Sequence, residues 1–82
     1  MPVITRFYGI LIKMYFNDHL PPHFHAIYNE YNGLFDLNTL NMIEGDLPLK
    51  AIKLVKEWAK DYQSELNRMW DTKEFIKLPG LE

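Results

Sequence analysis

The hydrophobic pattern of this chain changes period once, at Gly45, and that switch dictates what the chain can build. Before it, β-branched and aromatic residues dominate. Residues 3–16 are divided by Gly9 into two short strands. In the second of these, Ile10, Ile12, Met14 and Phe16 share one face while Leu11, Lys13 and Tyr15 share the other, the period of two expected of a half-buried sheet. Asn17-Asp18 signals a turn, and Pro21-Pro22 makes residues 17–22 a stiff loop, because proline donates no backbone hydrogen bond and pushes Leu20 towards extended geometry. His23–Tyr28 resumes a strand. Tyr28-Asn29-Glu30-Tyr31-Asn32-Gly33 supplies the next reversal, because Asn32-Gly33 between two apolar runs is a strong hairpin signal, with Leu34–Leu40 returning and residues 41–44 extending the sheet.

After Gly45 the spacing becomes helical. Asp46 is placed to cap a helix whose first turn contains Pro48. Ala51, Val55, Trp58 or Ala59, Tyr62, Leu66 and Met69 then recur at intervals of three and four. A helix over residues 47–70 would reach about 36 Å at ~1.5 Å per residue, whereas a six-residue strand covers roughly 20 Å, so one end overhangs and Trp70 requires a partner to bury it. Leu78-Pro79-Gly80 stops any continuation, and residues 78–82 are expected to be a mobile tail. The fold expected is α+β: one domain spanning 1–82, with an antiparallel sheet of four or five short strands (3–44) packed on one long C-terminal helix.

Composition narrows the function classes. At 82 residues there is room for one core, and a chain of this size buries only about 60% of its unfolded surface, so homo-oligomerisation through exposed strand edges is expected. Nine basic against eleven acidic residues give a net charge of −2, which offers no support for tight RNA binding. Only Arg6 and Lys13 among the basic residues precede residue 47, so any nuclease role needs a local patch. The absence of cysteine excludes disulfides and thiolate chemistry and suits a cytoplasmic protein. No apolar run is long enough to span a membrane, and no secretory signal is expected.

All three histidines fall within Asp18-His19-Leu20-Pro21-Pro22-His23-Phe24-His25. On a strand, His23 and His25 point to one face, and the proline-stiffened loop would bring His19 and Asp18 back beside them. Three roles stay open. The plainest is structural, with imidazoles pinning a proline-rich loop through backbone carbonyls. The second is metal binding by His19, His23 and His25, a ligand set suited to zinc, nickel or iron with one position open. The third is general acid–base catalysis by His23 and His25 with Asp18, with Arg6, Lys13 or a helix lysine stabilising a developing phosphorane and nothing in the spacing selecting among them. The helical stripe and the lysine-rich helix face need only structural explanations.

The run Ile4-Thr5-Arg6-Phe7-Tyr8-Gly9-Ile10, the segment Met14-Tyr15-Phe16-Asn17-Asp18-His19 with Pro21-Pro22-His23-Phe24-His25, and the helix start Glu44-Gly45-Asp46-Leu47-Pro48 resemble the small bacterial domain-of-unknown-function family numbered four-one-six-zero. Trp58-Ala59 fits that family's helix as well. Where relatives commonly carry a Gly-Glu-Tyr turn, this chain has Asn29-Glu30-Tyr31, and Asn tolerates the same left-handed backbone. The resemblance implies a small, adjacently encoded protein partner and a two-gene toxin–antitoxin module, with this chain as a toxin-like component acting through, or neutralised at, the histidine loop. A non-catalytic protein-interaction module and a small metal-binding enzyme are the alternatives. The resemblance carries the motif onto Asp18, His19, His23 and His25 without assigning their roles.

Overall fold

The computed structural model describes residues 3–15 and 19–81. Five strands, β1 (Val3–Phe7), β2 (Ile10–Lys13), β3 (His23–Tyr28), β4 (Tyr31–Asp36) and β5 (Met42–Gly45), precede one helix, α1 (Leu49–Thr72). The strands lie in chain order, each antiparallel to the next. This is the α+β arrangement that the change of period predicts, with five strands and the helix last.

The turns explain the strand limits. Phe7 pairs with Ile10, leaving Tyr8 and Gly9 as a two-residue loop with φ of 47° and 79°. Both being left-handed matches the right-handed twist of the flanking strands. Glycine adopts that geometry without penalty, but for tyrosine it costs about 1–2 kcal/mol. At the next reversal Tyr28 pairs with Tyr31, so the turn falls within the expected segment 28–33 but at Asn29-Glu30, with Asn29 at φ 55°, instead of on the Asn32-Gly33 hairpin signal.

Gly33 serves packing instead. A Cβ there would lie 2.9 Å from both Leu47 Cδ1 and Met42 Sδ, so only glycine lets these side chains approach the middle of β4. The strand also ends earlier than the expected Leu40. Asp36 Oδ1 accepts hydrogen bonds from the backbone amides of Asn38 and Thr39 at 2.7 and 3.1 Å, which turns the chain at once.

Asp46 does not cap the helix. Its Oδ1 accepts the Asn32 amide at 3.0 Å, and its own amide donates to the Asn32 carbonyl at 2.8 Å. The residue is thereby committed to extending the β4–β5 pairing. Pro48 occupies the cap position with no side-chain hydrogen bond, and α1 begins and ends two residues later than predicted, at Leu49 and Thr72. It is kinked where Tyr62 departs from helical geometry (φ −119°, ψ 18°).

Strand alternation sorts the residues into a closed and an open face. Ile12, Phe24, Ala26 and Phe35 are wholly buried beneath Val55, Trp58, Ala59 and Leu66 of α1. Phe24 stacks on Phe35 with ring centroids 5.2 Å apart, and Trp58 meets Phe24 at 6.0 Å. Burial of each such side chain contributes roughly 1.5–3 kcal/mol. The intervening residues, Leu11, Lys13, His25, Ile27 and Leu34, are only half-buried, because no described element lies over that side of the sheet.

The segment after α1, where a mobile tail over 78–82 is expected, packs against the sheet at its described residues. The Leu78 amide donates to the Ile4 carbonyl at 2.9 Å along the outer edge of β1. The Trp58 indole donates to the Pro79 carbonyl at 2.7 Å, and Gly80 lies so close to β1 that a Cβ would sit 2.9 Å from Arg6 O. The need of a buried indole N–H for an acceptor draws this segment in. Among the described residues, no buried side-chain nitrogen or oxygen lacks a partner.

Candidate functional site: a histidine pair at the end of the sheet

His23 opens β3 and His25 follows two residues later, so the alternation of the strand sends both imidazoles the same way. Their ring centroids lie 5.1 Å apart. Register adds neighbours that periodicity alone cannot identify. Lys13 of β2 and Leu34 of β4 stand directly opposite His25, while Asp36 stands opposite His23. Tyr15, just beyond β2, presents its ring edge-on to His25 at 4.7 Å.

The helix completes the cluster from the other side. Even kinked at Tyr62, the 24 residues of α1 reach further than the six of β3, so the helix runs past the end of the strand. Trp70, in its final turn, meets His23 at 5.3 Å, and Lys73 Nζ stands 4.1 Å over the Trp70 ring. The overhanging tryptophan thus finds its cover in a histidine. Trp70 is 7% exposed and His23 4%, whereas His25 is half-exposed.

A hydrogen bond sets the chemistry of His23. Its Nδ1 lies 2.7 Å from the Pro21 carbonyl oxygen. A carbonyl only accepts, so Nδ1 carries the proton, and in the neutral ring Nε2 is the basic nitrogen. Pro21 follows a cis peptide bond from Leu20, and the proline-rich loop presents its carbonyl to the ring as the structural reading anticipates. His25 lies closer to solvent.

The remaining predicted site residues are placed differently. His19 is exposed, and among the described residues no group of three His, Cys, Asp or Glu comes together to hold a metal ion. The triad of His19, His23 and His25 is therefore not assembled in this structure, because alternation aligns residues within β3 and stops acting at the prolines that precede it. Asp18 lies outside the described residues. Arg6 is exposed on β1 opposite Leu11. Strand spacing puts its Cα about 12 Å from that of His25, two strands over and two residues along. Lys13 is the cation that the fold places directly beside the pair. Tyr15, Trp70 and Lys73 are neighbours that the sequence reading missed. Of these, Tyr15 shares the alternating face of Lys13 and was within reach of the period-of-two argument, whereas the other two depend on where the helix ends.

No described helix is long and apolar enough to cross a membrane. No curated protein and no solved structure matches the chain. A family match covers residues 9–71, from the β1–β2 turn through the histidine pair to the last turn of α1, and by that match the chain belongs to the family described as domain of unknown function DUF4160.

Proposed function

We propose that this protein is a toxin-like component of a two-gene toxin–antitoxin module, and that the open face of its sheet is where a small, adjacently encoded protein docks, next to the histidine pair. The observation that carries this reading is the composition of that face. Leu11 stands directly opposite Ile27, and Leu34 directly opposite His25, so three aliphatic side chains and an imidazole form a continuous half-buried patch that no described element covers. Contiguous apolar surface of this kind is retained chiefly where another molecule lies against it. Lys13 and Tyr15 at its border supply the polar rim and aromatic contact typical of interfaces.

The test is co-expression with the product of the neighbouring small gene. The chain alone should slow growth, and the pair should restore growth and co-elute. Ile27→Thr combined with Leu34→Thr keeps β-compatible side chains but removes the apolar patch, and is expected to weaken the complex at least tenfold. Normal growth with the chain alone, or unchanged association of the double variant, overturns the proposal.

A second reading is favoured by the His23 hydrogen bond. With its Nδ1 held by Pro21 and the ring of His25 alongside, the pair has the parts for general acid–base cleavage of RNA, one imidazole accepting the 2′-hydroxyl proton and the other returning a proton to the leaving oxygen, with Lys13 near the phosphate. The burial of His23 weighs against it. RNA cleavage that disappears in His25→Ala, with folding unchanged, would establish the catalytic version. Metal-independent toxicity that survives His25→Ala would leave the docking version alone.

A further inference from the structure

At the end of the molecule remote from the histidines, the β1–β2 turn, β3 and the start of α1 border a half-open cavity of about 620 Å³. Cavities of roughly 300–1,000 Å³ are those that hold small organic ligands. Its walls are Tyr8, Ile10, Tyr28, Pro48, Ala51 and Leu54, and Lys50 is the charged residue among its lining. Two phenol rings and aliphatic side chains suit a flat, apolar body, and the ammonium group complements an acid.

Tyr8 shows that the cavity is more than a packing gap. Its side chain is 60% exposed, so it adds little to the core. Its backbone is held at φ 47°, in a turn position where asparagine or glycine is preferred. A bulky aromatic residue in that geometry is an outlier, and although its ring meets the core edge-on at Phe7, 6.4 Å away, most of it remains open to the cavity and to solvent. Gly9 beside it holds φ 79°, the left-handed geometry that glycine adopts without penalty. A Cβ at that position would meet the Tyr28 ring at 3.4 Å, an ordinary van der Waals contact, so the turn lies beside the second tyrosine.

We infer that the Tyr8–Tyr28–Lys50 cavity binds a small planar aromatic acid, its ring against the two tyrosines and its carboxylate on Lys50. This inference does not depend on the function proposed above. The experiment is an amide chemical-shift titration of the full chain with indole-3-acetate, beside its neutral amide. Saturable binding is expected, with shifts concentrated at Tyr8, Gly9, Ile10, Tyr28, Lys50 and Leu54. The neutral amide should bind at least fivefold more weakly, and Lys50→Gln should remove that difference.

Tyr8→Asn is the decisive variant. It places a favoured residue in the left-handed turn, so its melting temperature should rise while affinity falls at least fivefold. A Tyr8→Phe variant that binds like the native chain would show that the ring, and not the hydroxyl, makes the contact, as the inference requires. Shifts centred elsewhere, equal binding of acid and amide, unaltered affinity in Tyr8→Asn, or no binding at 10 mM probe, a concentration on the order of ten times a millimolar Kd, would each overturn it.

Discussion

The two faces of the sheet are built from the same strands and are put to opposite uses. Along β3, Phe24 and Ala26 are sealed under α1, while His25 and Ile27, one residue away in each case, are half-buried on the open side. Adjacent residues therefore face different demands. The helix-facing set is constrained by packing, where loss of a few methylenes is felt at once. The open set is constrained only by strand propensity and by what it meets outside. His23 belongs to both regimes, because it shares the alternation of the open set yet is buried by Trp70.

That contrast can be broken by substitution, and the largest effect belongs to the closed face. Phe24→Ala should cost about 3–5 kcal/mol, which for a domain of this size leaves little or no folded protein, as thermal unfolding monitored by circular dichroism would show. A stable Phe24→Ala protein would mean that the helix does not rely on the Phe24–Phe35 stack. Next comes His23→Ala, expected to cost about 1–3 kcal/mol by removing the hydrogen bond to Pro21 and the cover of Trp70. His25→Ala should stay within about 0.5 kcal/mol. Comparing their denaturant midpoints separates the buried imidazole from the accessible one, and equal losses would abolish the distinction drawn between them. The smallest effect is expected for Leu34→Thr, a change within about 0.5 kcal/mol in stability, with its consequence appearing instead in partner binding.

The period of two placed the strands and paired His23 with His25 because alternation is local and depends on each residue's immediate neighbours. The failures share a different cause. Asn32-Gly33 carries a strong turn signature, yet Gly33 is there for the close approach of Leu47 and Met42, and those residues lie far along the chain. Asp46 has the chemistry of a cap, but its proximity to Asn32 gives its carboxylate another use. The placement of His19 depends on the path of a loop that no periodicity describes. Trp70 was legible as an aromatic in need of cover, though not as the cover of a histidine. The acceptor for Trp58 could not be anticipated at all, since it is a main-chain oxygen in an irregular segment.

The bond from Trp58 to Pro79 has a bearing on biosynthesis. The polypeptide emerges with its sheet and helix residues first, yet the carbonyl that quiets the indole of the central helix is supplied only afterwards. A ribosome that stalls or a message that is cut before Pro79 is reached releases a product whose interior retains an unanswered donor. Leaving a buried donor unpaired costs about 1–3 kcal/mol, so a chain shortened before Pro79 should melt below the full one.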